Sequence, residues 1–568
     1  MAVLPFLRIP PFPGRRVTAL GQTRAEPMAL HPRDLARLPQ ALAEARVGGP
    51  FWGAQPSLPA GRDIVLAPDD RAGALAMQDL VAARGEAGRA CLVGPFAARH
   101  GIPVIARLVD PWHVVGQASR VIAGAEGEWA PIAALAGVAV EVMGEGRWSA
   151  FDPHDGRALV ASLFSPWRWT SPFTGSDIAP LEAIDLLGQW RALIDANRTI
   201  DAVFGVARWK RVTMDGLLWD GGVGPRHALA GGHRARALGR GARALVWGAR
   251  VPAGLVPDLA ARGIAVGEVE DGMIRGTGLG ANCVPPLSVI VDFDGIYFDP
   301  SRPSALERLL AEADFPERLV ARAAALRARL VAAGIGKYGR AEPAAANASP
   351  DNRRRVLVTG QVADDRSVLT GGHAALGAEA NPNLALLRRA RELEGAEAWL
   401  TYKPHPDVEA GHRAGAIAEA EALRWADEID RSGPIAPLLA RADSLHVLTS
   451  LAGFEALMRG IPVTTHGVPF YAGWGLTRDL APVPAGRSRN LSINQLVAAT
   501  LILYPRYMDP VSRLPCPVEV LVHRLEQDRA RVTSPLVWLR ELQGRARLLL
   551  RRPADQRRNP AQNPERPR

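Results

Sequence analysis

A chain of 568 residues is too long for one hydrophobic core and implies about three or four domain-sized units. Its 48% hydrophobic and 22% charged residues exclude a largely disordered protein. The net charge is +10, and the three dispersed cysteines, Cys91, Cys283 and Cys516, have no metal-binding spacing, so a reducing compartment is expected.

The opening run "MAVLPFLRIPPFPGRR" places its arginines after a short, proline-broken apolar segment. It reads as neither a signal peptide nor a membrane span, and no later stretch holds about 18 apolar residues in a row. The expectation is a cytoplasmic protein.

Residues 1–165 carry an echo of a later region. "VLAPDDRAGAL" from Val65 resembles "VTGQVADDRSVL" from Val358. "VDPWHVVG", with Asp110 and His113, resembles "ADSLHVLT", with Asp443 and His446. "ALAGVAVEVMGEG" resembles "LMRGIPVTTHGVP". The order is kept, which points to a duplication. Within it, Gly94 and Phe96 fall where Lys403 and His405 stand, so this copy reads as a degenerate partial half. His31-Pro32 lies upstream of the repeat and reads as a decoy.

From 198 to 340, "ALVWGAR" and "GIAVGEVE" read as strands, and "RLVARAAALRARLVAAG" as a long helix. "AEPAAANASPDNRRR" reads as a hinge linker. From 352 to 515, strands ("RVLVTG", "AWLTYKP", "LHVLTS", "PVTTHG") alternate with helices ("NLALLRRARELEG", "IAPLLARA", "GFEALMRG"). Both regions are α/β with parallel sheets, Rossmann-like halves with a ligand cleft at the strand ends. Residues 516–568 read as a basic, largely disordered tail: nine arginines against three acids lie between 540 and 568. That charge suits solubility or an anionic membrane surface. Without interleaved aromatics it does not suit nucleic acid.

Only three of the 68 basic residues are lysines: Lys210, Lys337 and Lys403. Lys403 and His405, in "YKPHP" at a strand end, suit a nucleotide phosphate. Thr449 and Ser450 cap the next helix, whose free N–H groups favour an anion. Gly453 permits close backbone approach, and Glu455 suits ribose hydroxyls. Glu270 and Asp271 with Arg275, in "VEDGMIRG", suit an acid, base or nucleophile. "VDFDGIYFD" is read as a hairpin turn at Asp294-Gly295 instead of a metal motif.

The pattern strand–Thr-Ser–helix–Glu–Gly-x-Pro-Val resembles the donor-binding half of GT-B glycosyltransferases. In order, "EDGMIRGTGLGANCVPPLSVIVDFDGIYFDPSRPSALERLL", "TGQVADDRSV", "YKPHPDV", "TSLAGFEALMRGIPVTTHGVPFYAGWGLTRD" and "LILYPRYMDP" closely resemble the KpsC-type capsule polysaccharide β-Kdo transferases over about residues 195–515. The resemblance implies a GT-B-like pair of halves, 198–340 on the acceptor and catalytic side and 352–515 on the donor side. It implies retaining transfer of Kdo from CMP-β-Kdo to a lipid-linked, Kdo-primed acceptor, with no cofactor or metal. The acceptor is a glycolipid at the inner membrane surface, and capsule assembly or export proteins are further partners. Lys403, His405, Thr449 and Ser450 would hold the CMP phosphate, Glu455 the ribose, and Asp271 would be the catalytic carboxylate beside Glu270. Arg275, Lys210 and Lys337 (next to Tyr338) would meet the sugar carboxylate or the acceptor. Gly336, Met273 and Gly276 replace the Ser, Phe and Ser more usual in that family. A catalytically weak scaffold of the assembly machinery is the alternative.

Overall fold

The computed structural model describes residues 5–24, 26, 30–105, 108–277, 283–337, 339–340, 353–372, 381–411, 413–431 and 433–528. Tyr338, most of the expected hinge linker and the basic tail beyond 528 lie outside the described residues. The chain folds as two compact units: residues 1–201 with 214–226, and 202–213 with 227 onward.

The first unit is built on five strands, β1 (Ile64–Ala67), β2 (Ala90–Val93), β3 (Val104–Ile105), β4 (Arg120–Gly124) and β5 (Ala139–Met143), with β1 and β2 fully buried at the centre and β3 and β5 more exposed at the edges. All pair in parallel in the order β3-β2-β1-β4-β5. The helix Pro180–Arg198 also belongs to this unit, so it extends past the expected boundary at 165. His31 serves as an N-cap: its Nδ1 accepts from the Arg33 amide at 3.2 Å.

In the second unit the first half contributes β6 (Ala202–Phe204), β7 (His227–Ala228), β8 (Arg243–Val246), β9 (Ala265–Asp271) and β10 (Ser288–Asp292). A tight hairpin, β11 (Ile335–Gly336) and β12 (Gly339–Arg340), follows the helix Glu317–Ala332. The second half carries β13 (Arg355–Thr359), β14 (Trp399–Lys403), β15 (Glu428–Ile429), β16 (Ser444–Val447), β17 (Val463–Thr465) and β18 (Arg478–Asp479). They are all parallel, in the order β15-β14-β13-β16-β17-β18. This is the expected GT-B-like pair of Rossmann-like halves, except that the first half's sheet is mixed instead of parallel: β6 to β9 run parallel, and β10 pairs antiparallel with β9.

The two orders bear on the repeat. β3-β2-β1-β4-β5 has the same topology as β15-β14-β13-β16-β17, so β2 corresponds to β14 and β4 to β16. After β2 the chain continues through Gly94, at φ +113, and Phe96, whose ring lies 2.7 Å from where a Gly94 Cβ would be. One part of the sequence alignment is corrected. Asp110 to His113 is no strand: Asp110 caps a helix, Pro111–Val115, accepting from the Trp112 amide at 3.1 Å. Asp-Pro is a helix-start signal and overrides the shared Asp-x-x-His spacing. The strand that matches His446's is β4.

Two further expectations change. No hairpin follows Asp294-Gly295, because the next element is the helix Ala305–Glu312. The buried Asp292 organises the segment instead, accepting from the amides of Asp294 (2.9 Å), Gly295 (3.2 Å) and Ala305 (2.8 Å) and from the Tyr504 hydroxyl (2.7 Å). Nor does the fold stop at 515. β19 (Arg506–Met508) and β20 (Pro515–Cys516) return to the first half's sheet beside β10, and the helix Val518–Glu526 packs after them. Arg322 binds Glu519 through two bonds of 2.7 and 2.9 Å, and Arg524 binds Asp509 at 2.9 Å. One apolar core links both halves through this helix, joining Ile274 and Leu287 to Leu445, Phe454 and Leu521.

Leu521 is fully buried in that core. Leu521→Ala is expected to cost about 2–5 kcal/mol of stability, read by chemical denaturation. A residue in a solvated tail would shift it by less than about 0.5 kcal/mol.

Candidate active site

The sequence "EDGMIRG" folds back on itself at the end of β9. Gly272 is required there, since a Cβ would sit 2.3 Å from Ser288 Oγ on the neighbouring strand β10. The Gly272 amide donates to the Ser288 carbonyl (2.9 Å) and the Leu287 amide to the Arg275 carbonyl (2.8 Å). The reversal brings Arg275, only 1% exposed, onto the aspartate four residues earlier.

Asp271 is thereby held from both sides. Arg275 Nε donates to one oxygen at 2.8 Å, and Lys210 Nζ to the other at 3.2 Å. The Lys210 ammonium rests over the Trp247 ring, 3.1 Å from its centroid, with Trp209 at 5.2 Å. Burial pushes the Asp271 carboxyl up, but the charges of Lys210, Arg275 and Lys337 outweigh it and hold the group below its ordinary value. Burial lowers Lys210 to about 8. Glu270 responds in the opposite sense. Burial first, and the Asp271 charge second, raise it to about 7, while its Oε1 accepts from the Asp271 amide at 2.9 Å.

The hairpin β11–β12 inserts Lys337 beside this pair. The Arg275 amide donates to the Lys337 carbonyl at 2.9 Å, and the Lys337 amide donates to Glu455 Oε1 at 3.1 Å. The Lys337 charge reaches Glu270, Asp271, Glu455 and His405 alike. Gly336 leaves room for the Glu455 carboxylate, whose Oε1 lies 2.7 Å from where a Cβ would be. Of the other departures, Met273 is buried and Gly276, at φ +106, packs on Leu287.

The residues expected to bind the donor sit at the strand ends of the second half. His405 caps the helix Pro406–Glu409, its Nδ1 accepting from the Asp407 amide at 3.1 Å, and burial lowers its pKa. Thr449 is clamped by Gln361: its amide donates to Oε1 at 2.8 Å, and Nε2 donates to its hydroxyl at 3.0 Å. Ser450 caps the helix Leu451–Met458, accepting from the Ala452 amide at 3.2 Å. Burial raises Glu455, one turn inside that helix. Gly453 does permit a close approach, but the group that approaches is the Tyr471 hydroxyl, 2.1 Å from where a Cβ would be. Lys403 is buried with Nζ 3.6 Å from Asp430, and burial lowers its pKa. The structure thus gathers Lys210, Glu270, Asp271, Arg275, Lys337, Glu455 and His405, and places Lys403 on a carboxylate of its own half.

Sequence reading missed Gln361, Asp430 and the contact of Arg366 with Glu268, which spans the two halves at 2.6 and 3.1 Å. The "TGQVADDRS" segment, which enters both the repeat and the family resemblance, holds Gln361 and Arg366 and is the signal available for them. Among the described residues, no cluster of three or more His, Cys, Asp or Glu could hold a metal. No helix there is long and apolar enough to cross a membrane.

The family described as "Capsule polysaccharide biosynthesis protein" matches residues 243–333 and 318–507, a span containing every residue of this cluster except Lys210. The capsule polysaccharide modification protein LipA of Neisseria meningitidis serogroup A is 39% identical over 353 residues, 62% of this chain and 49% of LipA. The chain thus spans about half the length of that relative. Two solved structures from Thermosulfurimonas dismutans also match. The KpsC β-Kdo 2,7 transferase is 30% identical, covering 58% of this chain and 99% of that one, with a TM-score of 0.45. The KpsC β-Kdo 2,4 transferase is 28% identical, covering 57% and 98%, with a TM-score of 0.49.

The raised Glu270 makes a prediction about stability. An acid whose folded pKa exceeds its unfolded value binds its proton more tightly when folded, so stability falls as pH rises from 4.5 to about 7. Glu270→Gln removes that titration. Its stability relative to wild type should therefore climb across this window and level off above it, at up to about 3 kcal/mol. Thermal unfolding at pH 5 and pH 8 measures the difference.

Proposed function

We propose that this chain is a capsule polysaccharide biosynthesis protein of the matching family and acts as a retaining glycosyltransferase. It takes Kdo from CMP-β-Kdo and adds it to a lipid-linked, Kdo-primed acceptor, building a poly-β-Kdo linker. The observation that carries this reading is the half-buried Asp271, kept ionised by Lys210 and Arg275 at a strand end that faces the donor half.

In the first step an Asp271 oxygen bonds to the anomeric carbon, and the carbon–oxygen bond to phosphate breaks with its electron pair leaving on CMP. In the second step an acceptor hydroxyl attacks the same carbon. The ester bond to Asp271 breaks, the carboxylate is restored, and the hydroxyl proton passes to Glu270. Two inversions give net retention. With its pKa near 7, Glu270 is suited to a proton it must both take and give back.

The leaving phosphate is assigned to Thr449, Ser450 and the N-terminus of their helix, with His405 and Lys403 beside it. Gly453 is left without a role at the ligand, since the Tyr471 hydroxyl occupies the space beside it. Glu455 takes the ribose hydroxyls by exchanging its bond to the Lys337 amide, and the donor's carboxylate is assigned to Lys337 with Arg275 and Lys210. This reading uses no metal and no cofactor. It places the protein on the cytoplasmic side, peripheral at the inner membrane, beside capsule assembly or export proteins. The solved relatives are described as 2,7 and 2,4 transferases, and the linkage made here is left to product analysis.

Incubation with CMP-Kdo and a synthetic Kdo acceptor tests the reading. Asp271→Asn should lower transfer by about three orders of magnitude. His405→Ala should chiefly weaken use of the donor. Unchanged transfer in both variants would overturn the site, and no transfer by the wild type would favour the scaffold. The pH profile of kcat/KM should rise through about 7 as Glu270 ionises and fall above about 8 as Lys210 releases its proton. Glu270→Gln should lose the acidic limb.

A further inference from the structure

Next to the carboxylate pair lies a recess of about 470 Å³ that the roles above leave unused. Its apolar wall is formed by Val246 and Val266, from adjacent strands β8 and β9, with Val251 and Val256. Its charged lining is Glu268, Arg302 and Arg366. Glu268 holds Arg366 through two hydrogen bonds, and Arg302 lies 3.7 Å from the same carboxylate. Two guanidinium groups against one carboxylate leave the lining one positive charge in excess. Asp299 also acts on Arg366, from outside the lining.

The pair is fitted closely to the backbone. A Cβ on Gly248 would lie 2.5 Å from Arg366 Nη1 and 2.9 Å from Glu268 Oε2. Glu268 and Glu270 are two residues apart on β9 and so share a face of the sheet. The charge on Glu270 is felt at Arg366 as well. A ligand seated on the arginines therefore lies on the Glu270 side of the strand. His405, Thr449, Ser450 and Glu455 are not part of this lining.

We propose that this recess is the acceptor subsite and that it binds a carboxylate-bearing sugar. The sugar carboxylate pairs with Arg302 and the outer edge of Arg366, and the apolar face of the ring lies on Val251 and Val256. The hydroxyl to be glycosylated then points toward Glu270. The volume falls in the range of small-molecule sites, roughly 300–1,000 Å³. A single excess positive charge matches a carboxylate, whereas a phosphate monoester carries about −1.5 to −2. Planar guanidinium groups also pair with carboxylates through two parallel bonds. The assignment rests on the transferase reading above and adds to it the identity of the acceptor's contact residues.

The test is equilibrium binding without donor, using the methyl glycoside of Kdo and its carboxamide as probes, on the full chain. The acid should bind at least about tenfold more tightly than the amide, the scale of one charge-assisted hydrogen bond. Arg302→Ala should lose that preference. Val256→Trp, which fills the apolar wall, should abolish binding of both, while CMP affinity stays unchanged in both variants. Equal binding of acid and amide, no binding to the wild type, or undiminished binding in both variants would overturn the proposal. So would stronger competition by inorganic phosphate than by the acid sugar. A wild-type protein that binds the acid sugar selectively through Arg302 but transfers nothing from CMP-Kdo would support the recess while overturning the catalytic reading.

Discussion

A carboxylate stays ionised inside a protein only when both of its oxygens are answered, and the second unit is organised around doing this for Asp271. Arg275 reaches it because Gly272 lets the chain reverse against Ser288. Lys210 reaches it because Trp247 offers a face on which an ammonium can rest away from water. Neither cation would be stable in that place without the aspartate. Removing one member of such a buried set leaves an uncompensated charge and costs about 3–5 kcal/mol. The arrangement is therefore one cooperative object, and it also fixes what happens next door. Glu270 cannot be fully ionised beside a charge that is already settled, so the two neighbouring carboxyls are driven toward different protonation states.

The contacts that join the two halves belong to the same electrostatic system. Glu455, in the second half, accepts the amide of Lys337, and Arg366, also in the second half, binds Glu268 of β9. Arg366 thereby reaches the lining of the recess, while Glu455 stays buried against the hairpin β11–β12. Binding would then exchange one set of partners for another instead of creating charge contacts from nothing, which lowers the reorganisation needed. Lys403 follows the same logic within its own half, with Asp430 holding the ammonium in place.

What could be read from the chain was whatever depends on near neighbours. Apolar runs bounded by Gly, Pro or Ser gave several of the strands, though not the order in which they pair, and Ser450 at the head of "LAGFEALM" gave the capped helix. The Glu-Asp-Gly-x-x-Arg spacing gave the aspartate and its arginine. Contacts between distant segments left no such trace. Nothing near Lys403 announces Asp430, just past the end of β15, and Glu455 meets an amide 118 residues away in sequence. Gly453 looked like room for a ligand because the tyrosine that occupies the room is 18 positions further on. The helix Val518–Glu526 was absorbed into the tail because the arginines beyond it dominated the composition. The Asp-x-x-His pattern at 110 misled for a related reason: two residue types in common outweighed a proline that rules out the same backbone.

The loop after β2 carries an energetic consequence. In the second unit the equivalent strand ends in the lysine of "YKPHP", and the histidine follows it as a helix cap. In the first unit the chain there has Gly94 at φ +113, with the Phe96 ring filling the adjacent volume. A lysine at 94 would need both an unfavourable backbone angle and the space the ring occupies. No single substitution places one there without displacing the phenylalanine, at a loss in packing. The likeness of the two sheets therefore stops at the strand ends, where one offers a cation and the other a closed aromatic surface.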